Sequence, residues 1–327
     1  MTGPRVTVLM SVYNGLTYLA EAVKSILEQS FSDFEFLVIN DGSTEPLDTV
    51  LQDFDDARIV LLNHENIGLT RSLNRGLRLA RGKYVARMDA DDISLPGRLE
   101  AQIRAFEDDP HLDLVGCFFD VIDEQGYLIE KKKLIVDHIY RLWRLQFHNN
   151  YGHGSVMFRN KSILSAGGYD ENLLYAQDFD LWSRISKRDN TKIIPQVYYQ
   201  YRMIRQGSQS SVSHYETQLA NAVRISNKSL KTCSPTLSET DCEEVRAAYW
   251  RFQRTNISVN GLSLLPETLE GFCGRFGIEG FDKSRLVRMV AADAIEELHR
   301  DRTLAAQDRT AMIKKFSRLY QLHGGIG

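Results

Sequence analysis

A chain of 327 residues with 43% hydrophobic residues and a formal net charge of −3 can bury a sizeable core, is long enough for two domains, and lacks the positive excess that wholesale nucleic-acid binding needs. No apolar run approaches the length that crosses a bilayer, which leaves any membrane contact peripheral. Cys117, Cys233, Cys242 and Cys273 are far apart, with no Cys-x-x-Cys spacing and no secretory leader ahead of them, and read as reduced thiols of a cytoplasmic protein.

The first element is "VTVLM" (6 to 10), a short β-branched run that suits a buried strand. A helix follows, because Leu19, Ala22, Val23, Ile26 and Leu27 recur at helical spacing and form one apolar face. "FEFLVI" (34 to 39), "RIVLL" (58 to 62) and "KYVARM" (83 to 88) are further strands, separated by helix-like segments 46 to 56 and 69 to 81. This alternation predicts an α/β fold wound around a mainly parallel sheet with right-handed crossovers. A helix at "GRLEAQIRAFEDD", a strand at "LDLVGCFF" and an irregular stretch to about residue 215 come next. Beyond it the pattern turns to long amphipathic helices, "SRLVRMVAADAIEELHRDR" being the clearest, with breaks expected at Pro235 and at "NGLSLLPE" (260 to 267). The expected division is 1–215 and 216–327.

In such sheets ligands collect at the carboxyl ends of the strands. Four polar loops fall there: "SVYNG" (11 to 15), "NDGST" (40 to 44), "NHENIGLT" (63 to 70) and "DADD" (89 to 92). Taken alone, "NDGST" reads as a turn. "DADD" could cap the following helix, but one Asp would serve for that. Asp89, Asp91 and Asp92 within four positions repel one another unless a cation sits among them, and a hard divalent ion is the natural one. The loop after the first strand holds one glycine and no Gly-x-Gly-x-x-Gly, and no P-loop signature occurs, so neither a nicotinamide site nor a phosphate-cradling NTPase loop is expected.

The run from "VTVLMSVYNG" through "NDGST" and "NIGLTRSLNRGLRLARGKYVARMDADD", with "GHGSVMFRNKSILSAGGYDENLLYAQDFDLWSRI" further on, resembles the catalytic domain of family-two inverting glycosyltransferases with the GT-A fold. The resemblance covers about residues 5 to 215. It implies a GT-A-like sheet with a Rossmann-like nucleotide-binding half, Mn²⁺ or Mg²⁺ as cofactor, and a nucleotide-diphosphate sugar as donor. Position by position, it implies that Ser11 and Tyr13 meet the nucleobase, that Asp41 accepts from it, and that Arg71, His153 and Arg202 lie with the donor. Asp89 and Asp91 match the Asp-x-Asp pair at the ribose and metal, Asp92 is a supporting carboxylate, and Asp178 matches the general base. Asp180, a rival for that role, is read as supporting the start of its helix.

Two positions depart from the family pattern. Gln177 stands where a glutamate usually precedes the base, and Ile204 where "YQYRMIRQGSQSSVSH" (199 to 214) would carry a histidine; Arg202 and Arg205 remain as cations in that loop, which is expected to order on donor binding. From residue 283 to 327 the sequence has nine Lys/Arg against five Asp/Glu. This leaves open peripheral contact with the inner face of the plasma membrane. The preferred reading is a helical bundle packed on the catalytic domain or on a second subunit of a homo-oligomer.

The expected activity is transfer from a UDP-sugar to a glycan or lipid-linked acceptor in bacterial surface-polysaccharide biosynthesis. A nucleotidyltransferase and a catalytically silent nucleotide-sugar or glycan-binding subunit are the alternatives.

Overall fold

The computed structural model describes residues 3–204, 214–249, 258–301 and 304–324. Its chain forms two compact units, one made of the residues up to His138 with Asn149–Asn221, the other of Ile139–His148 with the residues from Ala222 onward.

The first unit is built on a nine-stranded sheet. Its elements are β1 (Val6–Val12), α1 (Leu19–Leu27), β2 (Phe34–Asp41), α2 (Leu47–Leu51), β3 (Ile59–His64), α3 (Leu69–Leu79), β4 (Tyr84–Met88), β5 (Ile93–Ser94), α4 (Arg98–Asp108), β6 (Leu114–Ile122) and β7 (Leu128–Lys132). After α5 (His138–Arg144), which belongs almost wholly to the second unit, come β8 (Met157–Arg159), α6 (Asn160–Ser165), α7 (Gln177–Ile185) and β9 (Thr191–Arg202). The strand order is β3-β2-β1-β4-β8-β6-β9-β5, with β7 paired to β6. β3, β2, β1 and β4 are parallel, the strand-helix-strand half expected from the sequence. β8 is antiparallel to both β4 and β6, and β9 returns parallel to β6.

The core explains the local structure. Val8, Met10, Phe36, Val38, Ala86 and Met88 form one wholly buried face of the parallel strands, against which α1 lays Leu19, Ala22, Val23 and Ile26 and α4 lays Leu99, Ile103 and Phe106. Each Val, Leu, Ile, Met or Phe side chain among them contributes about 1.5–3 kcal/mol on leaving water.

Three expectations need correction. The helix over 46 to 56 ends at Leu51, since the acidic run after it makes a turn in which Asp56 Oδ1 accepts from the backbone and Nε of Arg58, both at 2.9 Å. The irregular stretch before residue 215 contains the twelve-residue strand β9. Pro195 and exposed polar residues hide it, and its pairing with β6 shifts register just there, between Ile194 and Val197. The break at 260 to 267 does not occur either: α10 (Val259–Phe276) runs through Pro266. The buried stripe of Leu262, Leu265, Leu269 and Phe272 outweighs the lost backbone hydrogen bond.

The second unit is helical: α8 (Tyr215–Cys233), whose first residues lie in the other unit, α9 (Glu239–Tyr249), α10, α11 (Gly280–Arg300) and α12 (Ala306–Leu322). Ile139–His148 threads into its core, where Trp143 meets Phe147, Tyr249 and Phe272 edge-on at 5.0, 5.6 and 5.2 Å. Asp293 accepts there from Tyr249 Oη at 2.8 Å and Arg144 Nη1 at 3.1 Å. Its carboxyl is pushed up to about 7 by burial and by Glu296 and Glu297. Among the described residues no helix is long and apolar enough to cross a membrane.

Candidate active site

The register of β2, β1 and β4 brings the predicted residues to one edge. Ser11 lies opposite Ile39 on β2, and Met10 opposite Met88 on β4, so Ser11 and Asp89 emerge side by side where the strands end. The loops there are tied together. Asn14, in a left-handed conformation at φ 54, donates its N–H to Ser43 Oγ at 2.9 Å and accepts the Thr44 N–H at 2.9 Å. Tyr13 beside them is 56% exposed, leaving its ring open to a flat partner.

Asp41 closes β2 and is 2% exposed; its Oδ1 accepts from Ile67 N at 2.8 Å and faces His64 Nε2 at 3.4 Å. Gly42 follows at φ +72, where an added Cβ would lie 2.4 Å from Asn66 N. Only glycine allows this approach of the second and third loops. Arg71, on the first turn of α3, is largely exposed and faces Glu171 Oε2 at 3.5 Å. Asn74 fastens the same helix to the Gly-Gly-Tyr-Asp turn, exchanging hydrogen bonds with the Tyr169 backbone at 2.9 Å each way.

The three carboxylates of "DADD" have three different surroundings. Asp89 is paired with the fully buried Arg87 guanidinium. Asp92 is buried, accepting from Tyr199 Oη at 2.6 Å and from Arg202 N at 2.7 Å. Its pKa is nevertheless raised well above the ordinary carboxylate value by burial and by its two acidic neighbours. Asp91 is pushed up to about 6, by burial and by the charge on Asp89, and its own backbone N–H offsets this in part. Among the described residues no side chain hydrogen-bonds to the Asp91 carboxylate, and no group of three His, Cys, Asp or Glu side chains forms a cage for a metal.

A carboxylate raised in pKa by burial and by a neighbouring acidic charge fits a hard divalent cation of the Mg²⁺ type, which takes one or two protein carboxylates and fills its other positions with phosphate oxygens and water. Asp91 would hold it. Asp89, expected as a second ligand, is in ion-pair contact with Arg87.

Arg202, expected among the donor phosphates, has its guanidinium engaged within the protein. Its Nε donates to the Asp91 carbonyl at 2.9 Å, Nη1 to the carbonyls of Asp123 and Glu124 at 3.3 and 3.5 Å, and Nη2 to Glu21 at 2.5 Å, while the guanidinium lies 4.3 Å from the Tyr18 ring centroid. Those contacts tie it to the carboxylate loop. Arg205 lies outside the described residues, as does most of the loop expected to order.

On the other side of the site, Asp178 lies in the first turn of α7. Its Oδ2 accepts from Asn149 Nδ2 at 2.6 Å and its Oδ1 from Phe179 N at 2.8 Å. Burial pushes it up to about 6 against those hydrogen bonds and the Arg87 charge. Asp180 instead accepts from Arg184 Nε at 2.8 Å, and Arg184 goes on to bind the carbonyls of Ala166 and Gly168. His153 meets Tyr169 Oη through Nε2 at 2.9 Å, and burial, helped by Arg87, holds it neutral. Gln177 is buried at the start of the same helix as Asp178.

Sequence reasoning missed Arg87, Tyr199, Tyr169 and Asn149. Arg87 carried a signal, as a lone cation in an otherwise apolar strand just ahead of the carboxylates. Its charge acts on Asp91, Asp178 and His153, which places these groups in one electrostatic neighbourhood.

The chain is 31% identical over 222 residues to the O-antigen biosynthesis glycosyltransferase WbnJ of Escherichia coli, an alignment spanning 64% of this chain and 85% of that one. Its fold is similar to that of S. aureus TarS 1–349 in complex with UDP-GlcNAc, with a TM-score of 0.59 at 16% identity over 97% of this chain and 92% of that one. It is also similar to that of the mannosyltransferase PcManGT from Pyrobaculum calidifontis in complex with GDP-Man and Mn²⁺, with a TM-score of 0.53 at 15% identity over 98% and 86%. The α/β sheet with its parallel half and C-terminal helices is thus GT-A-like. The family model for glycosyl transferase family 2 matches residues 7–166, and on this match and the relationship to WbnJ the chain belongs to glycosyl transferase family 2.

Proposed function

We propose that the protein is a metal-dependent inverting glycosyltransferase, with residues 1–215 as its catalytic part, moving a sugar from a nucleoside-diphosphate donor to a hydroxyl of a glycan or lipid-linked acceptor. The observation that carries the reading is Asp178, a carboxylate raised to about 6 in the same charged neighbourhood as the Asp89–Asp91 pair. The relative's part in O-antigen biosynthesis supports surface-polysaccharide assembly as the setting, and the UDP-GlcNAc, GDP-Man and Mn²⁺ held by the structural neighbours support a nucleotide sugar and a divalent metal. UDP is the preferred base.

The residues divide the work. Tyr13 offers its ring to the base, Ser11 lines the same pocket, and the Asp41 oxygen not bound by Ile67 accepts a base N–H. Asp89 sits at the ribose. A divalent cation on Asp91, when bound, offsets the charge that develops on the leaving diphosphate. Asp178 accepts the proton of the acceptor hydroxyl while the hydroxyl oxygen bonds to the anomeric carbon and the anomeric carbon–phosphate oxygen bond breaks, the electron pair leaving with the nucleoside diphosphate. One displacement inverts the centre and needs one base. Neutral His153, held by Tyr169, presents a ring to donor or acceptor without adding charge. Asp180 is occupied by Arg184 and supports the helix.

The test is a panel of nucleotide sugars with Mn²⁺, scored by thermal stabilisation and by transfer or hydrolysis, with the product anomer read by NMR. Stabilisation by a UDP-sugar and an inverted product support the reading. A retained product sinks the mechanism, and no response to any nucleotide sugar sinks the function.

A further inference from the structure

Arg87 is 1% exposed and Asp89 31% exposed, and they form an ion pair at the end of β4. The strand fixes the arginine from both sides, its N–H donating to the Val156 carbonyl at 3.0 Å and its own carbonyl accepting from Arg98 Nη2 at 2.7 Å. Asp89 is held as firmly. Its backbone N–H donates to Tyr199 Oη at 3.3 Å, and its Oδ2 lies against Gly154, where an added Cβ would approach to 2.9 Å. Among the described residues Asp89 is the one carboxylate in ion-pair contact with Arg87, whose Nε is buried without a hydrogen-bond partner.

We propose that Arg87 is a positioning residue that reserves Asp89 for the donor and leaves Asp91 as the single protein carboxylate available to a divalent cation. The proposal rests on the donor site described above and deepens it. Recruiting Asp89 to the metal would strand a guanidinium in the protein interior, which is strongly unfavourable. A cation on Asp91 alone is weakly held until donor phosphate oxygens complete its shell, so metal and nucleotide bind interdependently. Without Arg87, the partly exposed Asp89 keeps its water and its charge and turns beside Asp91 into a second ligand.

The full-length chain is titrated with Mn²⁺, free ion being followed by electron paramagnetic resonance, with and without UDP. Nucleotide-free Mn²⁺ affinity should be low, rise on adding UDP, and fall far less in Asp89→Asn than in Asp91→Asn. Arg87→Met should tighten nucleotide-free Mn²⁺ binding by about tenfold, the scale on which outer-shell partners move metal affinity, while raising the donor KM. Arg87→Lys, which keeps the charge, should resemble wild type. The proposal is overturned if Asp89→Asn weakens nucleotide-free binding as Asp91→Asn does, or if folded Arg87→Met binds Mn²⁺ no more tightly than wild type. Should Arg87→Met not fold, Arg87→Gln, which keeps a polar group against Asp89 without the charge, takes its place with the same expected tightening. Failure of the underlying site reading looks different: Asp91→Asn would then bind Mn²⁺ as wild type does, with no coupling to UDP.

Discussion

Tyr199 donates its phenol hydrogen to Asp92 Oδ2 at 2.6 Å, joining the middle of β9 to the loop that closes β4. The same hydroxyl receives the Asp89 N–H at 3.3 Å, so one buried oxygen sets the position of two acidic residues. Tyr199→Phe leaves a buried carboxylate oxygen without its donor and should cost about 1–3 kcal/mol of stability. Urea unfolding measures it; a midpoint equal to wild type would show that the loop is held by other means.

Asp178→Asn keeps the size of the side chain but cannot accept a proton. Transfer should fall about 10²- to 10⁴-fold in kcat with donor affinity retained. Asp180→Asn should leave kcat nearly intact and lower thermal stability, since it loosens the pair with Arg184 at 2.8 Å. The reverse pattern, activity lost at Asp180 and kept at Asp178, places the base two residues later.

The pH dependence follows from the direction of the Asp178 shift. Its pKa is raised to about 6, so the base is protonated and idle below that pH and ionised above it. At saturating donor and Mn²⁺, kcat should rise through about pH 6 and level off toward pH 8. A limb centred near pH 4 would mean that the group limiting turnover is an unshifted carboxylate.

Gly154 has no room for a side chain, because a Cβ there would fall 2.0 Å from Tyr199 Oη and 2.9 Å from Asp89 Oδ2. Gly154→Ala must move the phenol or the carboxylate. Donor binding should weaken markedly in a protein that still shows native circular dichroism, and isothermal titration with UDP and Mn²⁺ would detect this.

Asp41→Ala removes the acceptor at the end of β2 and also the partner of the Ile67 N–H. Donor KM should rise more than kcat falls if the base is held equally in ground and transition states. An unchanged KM would remove Asp41 from base recognition.

The sequence revealed those parts of the site that sit at strand ends. Ser11, Asp41 and Asp89 follow recognisable apolar strands, and parallel pairing alone brings them to one edge. It did not reveal what reaches that edge from distant segments. Tyr199 belongs to a strand disguised by Pro195, Asn149 to a stretch without periodicity, and Arg87 to an apolar run whose pattern says that it is inside but not why. Arg202 shows the opposite case. A cation in a polar loop looked available to phosphate, and its guanidinium is spent on Asp91, Asp123, Glu124 and Glu21.

The passage of Ile139–His148 into the helical unit bears on how this chain can be shortened or recombined. The backbone changes unit at three junctions, so no single cut separates the two. A fragment ending near residue 221 would keep Trp143 and Phe147 but lose Tyr249 and Phe272, the rings they pack against. Such a fragment carries two large aromatic side chains with nothing to cover them and should be prone to aggregate. Grafting the sheet unit onto another partner would require replacing that ten-residue excursion as well as the tail.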